Sequence, residues 1–479
     1  MKATKRVVRN SIFGILSQAV GGGVFFLVML LIARELGPER FGTFSYIFAF
    51  VTVFHMFADF GLTNILIREL ARNQQNLGQI LGAVIPLVTI IAIGAYVIIL
   101  VSTIFLPISN DAQMAMCIMG AIILVGFPAA VYGAVCRAFE DMGFNAAGLI
   151  AQRLLLLVLV LLALNLKSGL VGYALCYLGE IVFQWLFFYL IVRKRYTKYR
   201  WRLDMAYWRY LIVEGLPIGA GTVLRRISWY LDIFLLMVLS TASSVGLFSA
   251  AYRIIRMVNV IPFTLSVPLF PPLSRFGVES KEKAYALFRR ATNIFILIGL
   301  PISLWMVLLG PQLMAVLFGD HFLSAGSTLR IMGVVVLFLF LNSLYLYLFT
   351  ALGKQKLYTF SIGFSVLINI ILDFILIPIL DIQGAAIGTL CAEFTLYLSG
   401  IYFLRRLGFK SHIGSFLPKT LFTVLLASIV LLWPLYLPTW NNIILGTIGF
   451  AVCLLLVGYF LKIFTRDEMM ALLSLIPNR

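Results

Sequence analysis

Charge is scarce in this chain of 479 residues: 12% of positions are Asp, Glu, Lys or Arg, 62% are hydrophobic, and mean hydropathy is +1.03. Soluble domains run near a quarter charged and half apolar. Polar stretches are short, none beyond roughly 20 residues, which leaves no room for a soluble domain of ~50–250 residues. The five cysteines, Cys117, Cys136, Cys176, Cys391 and Cys453, stand inside apolar runs without C-x-x-C spacing. That is the pattern of small core residues, and it gives no sign of disulfides. Three histidines far apart in sequence speak against a His-rich metal centre. No cofactor is indicated, and no G-x-x-x-x-G-K-[ST] loop supplies a P-loop with which to draw on ATP. No basic patch has the look of a folded nucleic-acid module, so nucleic acid is not an expected partner.

What the chain has in quantity is long apolar runs. A hydrocarbon core of ~30 Å takes about 20 residues of helix to cross. Runs of that kind fall near 11–33, 44–66, 79–106, 112–136, 146–166 and 169–192. A second set falls near 210–239, 246–272, 288–309, 328–351, 357–380 and 384–404, and two more near 419–437 and 443–464. The first run follows a basic segment, "MKATKRVVRN", without an A-x-A cleavage pattern, so it reads as a retained helix.

Alternate connections hold 28 of the 37 basic residues, from Lys2 and Lys5 through "RKRYTKYRWR" at 193–202 to Lys462, Arg466 and Arg479. The opposite connections hold Arg34, Arg40, Lys167 and Arg330. By the positive-inside rule the first side is cytoplasmic, and an even number of spans puts both termini there. Topology thereby accounts for most of the +18 net charge. The segment "RKRYTKYRWRLDMAYWRYL" (193–211) is basic and aromatic. It is either an ordinary topology signal or a stretch lying against anionic headgroups on the inner surface.

An internal repeat is visible. Gly42, Phe44 and Ser45 align with Gly246, Phe248 and Ser249, and Gly169, Leu175 and Cys176 echo Gly384, Leu390 and Cys391. Six helices separate the copies, so both have the same orientation. Parallel repeats imply two six-helix lobes with a site between them. The expected division is 1–205, 206–412 and a pair of extra helices in 413–479.

Five basic residues fall inside spans: Arg153, Arg225, Arg226, Arg253 and Arg256. An Arg at mid-helix costs about 2.5–3.5 kcal/mol, so the four in the seventh and eighth spans would together cost roughly 10–14 kcal/mol if all faced lipid. Ser249, Arg253, Arg256 and Asn259 follow helical spacing and form one polar stripe. The acids of these two spans are Glu214 and Asp232, which leaves positive charge over. Surplus guanidinium in a wet cavity favours an anion and binds phosphate bidentately. The alternative is structural: Arg225 and Arg226 could mark a helix break after "EGLPIGAG" (214–221), or the arginines could pair with Asp59, Glu180, Asp373 or Glu393. His55 and Asp59, one turn apart, and Asp373 and Glu393 are candidates for ion coupling. Trp229, Tyr230 and Tyr252 are either sugar-stacking or core aromatics. No metal site is expected.

"ARELGPERFGTFSY" (33–46) followed by "FADFGLTNILIRELA" (57–71) resembles the opening of Wzx-type polysaccharide-exporting flippases of the multidrug/oligosaccharidyl-lipid/polysaccharide superfamily. The resemblance continues through "YLDIFLL" (230–236), "SSVGLFSAAYRI" (243–254), "VLFGDHFLSAGSTLRIM" (316–332), "ALGKQKLY" (351–358) and "NIILDFILIPILDIQGAAIGTLCAE" (369–393). It implies an all-α polytopic membrane protein of about 14 transmembrane helices: two parallel-repeat six-helix lobes plus two C-terminal helices in a MATE-like architecture. It also implies flipping of a polyprenyl-diphosphate oligosaccharide from the inner to the outer leaflet, around a cationic central cavity. Arg225, Arg226, Arg253 and Arg256, with Arg153, fit the anionic headgroup. Asp232 occupies a recurrent acidic position of the seventh helix.

The expected setting is the cytoplasmic (plasma) membrane, with membrane lipids and lipid-linked oligosaccharide as partners, a glycan polymerase or glycosyltransferase nearby, and a monomer as the working unit. Two other functions compete. An ion-coupled drug or organic-cation antiporter of the same superfamily predicts an acidic or neutral cavity. A membrane polymerase or glycosyltransferase needs a sizeable outer loop, and the longest expected one spans 310–327. An enzyme is therefore not expected.

Overall fold

In the computed structural model, residues 2–197, 199–409, 413–431 and 440–460 are described, and among these every regular element is a helix. Two compact units divide the chain, Met1–Phe234 and Leu235–Arg479.

The first unit opens with α1, Lys2–Asp59, which runs through both of the first two expected spans and kinks at Gly37 (φ 69°). Glycine takes that left-handed conformation without a Cβ clash. Pro38, with φ pre-set, then restarts the helix where its missing N–H costs nothing. The second span was expected to reach residue 66 but stops at Asp59. Phe60 (φ 28°) and Gly61 (φ 85°) reverse the backbone hand, and a separate amphipathic helix α2, Leu62–Arg72, follows. Asp59 joins the two, accepting from the backbone N–H and hydroxyl of Thr63 at 3.0 and 2.5 Å. The unit continues with α3 (Leu77–Phe105), α4 (Asn110–Gly120), α5 (Ile122–Ala138), α6 (Met142–Asn165) and α7 (Gly169–Ile191).

The next helix, α8, spans Met205–Leu239 without interruption, so the glycine-rich stretch does not break it. Its glycines serve close packing instead. A Cβ on Gly219 would sit 2.2 Å from the Phe60 carbonyl oxygen, and one on Gly61 would sit 2.8 Å from the Gly215 oxygen.

The second unit contains α9 (Ala242–Val258), α10 (Val260–Ser266) and α11 (Phe270–Glu279), which divide the expected eighth span. Pro262, Pro268, Pro271 and Pro272 crowd this stretch, and each removes a backbone donor. Thr241 caps α9, accepting from Ser244 N at 3.1 Å. Then come α12 (Lys281–Phe318), α13 (Ala325–Ala351), α14 (Gln355–Leu380), α15 (Ile382–Arg406), α16 (Ile413–Ala427) and α17 (Trp440–Phe460). The outer connection expected over 310–327 is short, because α12 extends to Phe318 and α13 begins at Ala325.

Eleven helices among the described residues are long and apolar enough to cross a membrane, and two shorter apolar ones are Ile227–Leu239 and Leu417–Leu431. On α3, Ile90, Ile93, Val97, Val101 and Ile104 recur at helical spacing and are all exposed. Such an outward stripe suits lipid and not water. Inside, Phe44 and Tyr173 are fully buried in the first unit, and Phe248, Phe295 and Phe340 in the second. The repeat is matched in burial: Gly42, Phe44 and Ser45, and their counterparts Gly246, Phe248 and Ser249, are all buried. Both serine hydroxyls lack a hydrogen-bond partner among the described residues.

Candidate functional site

Helix α9 presents the polar stripe that its spacing predicts. Ser249 and Arg253 are buried, Arg253 with only 9% of its surface exposed. Arg256 is half-buried, its guanidinium 5.9 Å from the centre of the Tyr252 ring. Tyr252 in turn stacks on Phe248 at 5.7 Å. The ladder Phe248–Tyr252–Arg256 lets the charged head lie along aromatic surface, which lowers the cost of holding it in an apolar setting. Tyr252 is thereby tied to core packing. Asn259 closes the helix, its backbone N–H donating to Ile255 O at 2.9 Å.

On α8, Asp232 and Tyr230 are buried and Trp229 is exposed. The side chains of Arg225 and Arg226 lie outside the described residues. Glu214, one of the two acids expected to offset these arginines, is engaged elsewhere: Arg68 Nη2 lies 3.0 Å from its Oε2.

Arg153 is paired within the first unit. Its Nη1 lies 2.6 Å from Glu180 Oε1, and Gln152 Nε2 donates to the same oxygen at 2.8 Å. The guanidinium also sits 4.6 Å from the Phe25 ring centre. This pair ties α6 to α7 and α1, with its charge balanced within the first unit.

The coupling candidates occupy distinct settings. Asp59 caps α2 and interacts electrostatically with Arg137. His55 packs against α5, edge-on to Phe127 at 6.3 Å and beside Gly126, where a Cβ would lie 3.5 Å from His55 Nε2. In the second unit, Asp373 is fully buried and accepts from Asn369 Nδ2 at 3.1 Å. Gly388 makes room for it, since a Cβ there would fall 2.1 Å from Asp373 Oδ1. Glu393 accepts from Asn342 Nδ2 at 2.7 Å. Among the described residues no cluster of three or more His, Cys, Asp or Glu is placed to hold a metal ion.

Sequence reasoning missed a surface network joining α2 to α8. Arg68 pairs with Glu214, and Tyr210 donates its hydroxyl proton to Glu69 at 3.0 Å. Tyr207, beside it, has its phenol pushed up to about 12 by burial and the nearby Glu69 carboxylate, so the hydroxyl stays neutral across the physiological range. Two charges 146 residues apart give no local signal of pairing.

Eleven membrane-length helices among the described residues, with charged side chains such as Arg253, Glu180 and Asp373 buried in them, define a polytopic membrane protein. A family described as polysaccharide biosynthesis protein matches residues 7–277, more than half of the chain, and the chain belongs to that family. It is similar to the "Probable low-salt glycan biosynthesis flippase Agl15" of Haloferax volcanii, at 22% identity over 80% of each chain. Among solved structures, the lipid II flippase MurJ in an inward closed conformation aligns with a TM-score of 0.76 at 16% identity, covering 96% of this chain and 100% of that one. An inward-facing multidrug resistance MATE family transporter of the MOP superfamily aligns with a TM-score of 0.64 at 18% identity, covering 82% and 96%. At such identities the likeness shows the fold, and the fold is MATE-like.

Proposed function

We propose that the chain is a flippase that carries a polyprenyl-diphosphate-linked oligosaccharide across the cytoplasmic membrane for surface polysaccharide or glycan assembly. It would work by alternating access around a cationic site to which Arg225, Arg226, Arg253 and Arg256 contribute. The supporting observation is Arg253, a guanidinium held buried on α9 one turn from Arg256. A membrane protein keeps such residues where they meet a partner or a wet pathway, and diphosphate is a fitting partner for guanidinium. The family match and the glycan flippase relative favour this substrate class over an organic cation. Arg153 is proposed as a fifth residue for the anionic headgroup, one that would have to exchange its contact with Glu180 at 2.6 Å for a phosphate oxygen. Ion coupling is assigned to Asp373, with Asp232, Glu393, Asp59 and His55 as the other carriers to be tested.

The test is flipping of a labelled polyprenyl-diphosphate sugar by reconstituted protein. A hydrogen bond to a charged group contributes ~1.5–3 kcal/mol, so Arg253→Ala and Arg256→Ala should each slow flipping by roughly 10–100-fold. Wild-type rates in both variants would remove these side chains from the mechanism.

A further inference from the structure

The basic segment after α7 does not hang loose. Pro86 in α3 has no backbone N–H, which leaves the carbonyl of Gly82, four residues earlier, without its helical donor. The N–H of Arg202 takes that place at 2.9 Å. One residue on, the Trp208 indole donates to the Ala83 carbonyl at 2.7 Å. Gly82 leaves the space for this approach, since a Cβ there would lie 2.3 Å from the Arg200 oxygen. Tyr199 bonds Tyr132 at 2.5 Å, and Tyr196 donates to Asp141. Asp204 caps α8 through Tyr207 N at 3.0 Å. The segment is thus fixed to α3, α5 and the turn between α5 and α6 at several points.

Fixed in this way, it turns apolar side chains outward. Trp201, Leu203 and Met205 are 68%, 70% and 68% exposed, beside the exposed Arg200 and Arg202. Met205, Arg209, Ile212, Val213 and Leu216 then follow one face of α8, and all five are exposed. Ile212, Val213 and Leu216 suit hydrocarbon, so Arg209, one turn back at about 5.4 Å per turn, stands at the depth of the headgroups. Arg202 lies 3.5 Å from Asp204. Among the described residues Arg200 and Arg209 make no ion pair.

We propose that Arg200, Arg202 and Arg209, with Trp201, Leu203 and Met205, form a binding surface for anionic phospholipids of the leaflet on the side of the basic connections. Aromatic and aliphatic side chains interleaved with guanidinium groups match the boundary between headgroup and acyl chain. Three guanidinium groups against one carboxylate, Asp204, leave net positive charge, which favours an anionic headgroup over a zwitterionic one. This surface is independent of the transported substrate.

The full chain is reconstituted in equal parts phosphatidylcholine and phosphatidylglycerol, with bromine carried on one lipid or the other. Tryptophan quenching in wild type, less that in Trp201→Phe, isolates the response of Trp201. Brominated phosphatidylglycerol should quench it roughly twofold or more better than brominated phosphatidylcholine, since each basic residue near an anionic surface favours binding. Arg200→Gln combined with Arg209→Gln should abolish the preference, as should high salt. Equal quenching by the two lipids in wild type would leave only a topology signal and overturn the proposal. A preference that survives both substitutions would do the same, and so would quenching seen only with a brominated polyprenyl diphosphate.

Discussion

Arg153 Nη1 lies 2.6 Å from Glu180 Oε1, deep among α1, α6 and α7, and Gln152 completes the shell around the carboxylate. Glu180 is 1% exposed. A guanidinium held in this way neutralises its partner's charge within the first unit.

Arg153→Met should be the most damaging single change at this pair, because it strands a buried carboxylate. Removing one member of a buried pair costs about 3–5 kcal/mol. Glu180→Gln should cost less, since Arg153 keeps its contact with Phe25 and some exposure. Replacing both by Met should restore stability to near the wild-type value. Thermal unfolding in detergent measures all three, and equal stability of wild type and Arg153→Met would refute the pairing.

Gly219→Ala should destabilise the first unit by about 1–3 kcal/mol, the usual cost of overpacking, because its Cβ would meet the Phe60 oxygen at 2.2 Å. Gly94→Ala on α3 is the contrast, with nothing within 4 Å. There the better helix propensity of Ala should be neutral or stabilising. Expression and unfolding temperature of the two variants give the comparison.

These glycines also mark what the sequence could and could not reveal. Hydropathy located the apolar segments because lipid-facing runs such as Ile90–Ile104 need no partner to be recognised. The i, i+4, i+7 spacing of Ser249, Arg253 and Arg256 likewise put their common face in view. Hydropathy could not find the end of the second span at Asp59, since Leu62, Ile65, Leu66 and Ile67 carry apolar residues past it and the reversal lies in the backbone torsions of Phe60 and Gly61. "GLPIGAG" looked like a break because glycine and proline usually punctuate helices, whereas here α8 stays whole and glycine supplies closeness. The partners of Arg153, Arg68 and Asn342 depend on the rotation of one helix against another, which no single segment's periodicity records.

Gly82→Ala should release the basic segment by pushing Arg200 away, and Pro86→Ala should weaken it by giving the Gly82 carbonyl a helical donor in place of Arg202 N. Both variants should be cut faster by trypsin after Arg200 and Arg202 than wild type, by about fivefold or more if roughly 1 kcal/mol of hydrogen bonding is lost. Trp208→Phe should act similarly through loss of the indole bond to Ala83. Unchanged cleavage in all three would mean that these contacts do not hold the segment.

Asp373 separates a coupling role from a structural one. It is fully buried on α14, held by Asn369 and given space by Gly388 on α15. A buried carboxylate is costly unless it is paired, protonated or holding a cation, so its charge state should follow the ion gradient if it couples transport. Asp373→Asn nearly preserves shape and keeps a hydrogen-bonding group, so folding stability should change little while any stimulation of flipping by a sodium or proton gradient is lost. Gly388→Ala should act on the same function sterically, because the new Cβ falls 2.1 Å from Asp373 Oδ1 and 3.1 Å from Asn369 Nδ2. Gly363→Ala, on α14 with nothing within 4 Å, should leave flipping intact. If gradient stimulation persists in Asp373→Asn, the carboxylate is a packing element and coupling must be sought at Asp232, Glu393 or the His55–Asp59 pair.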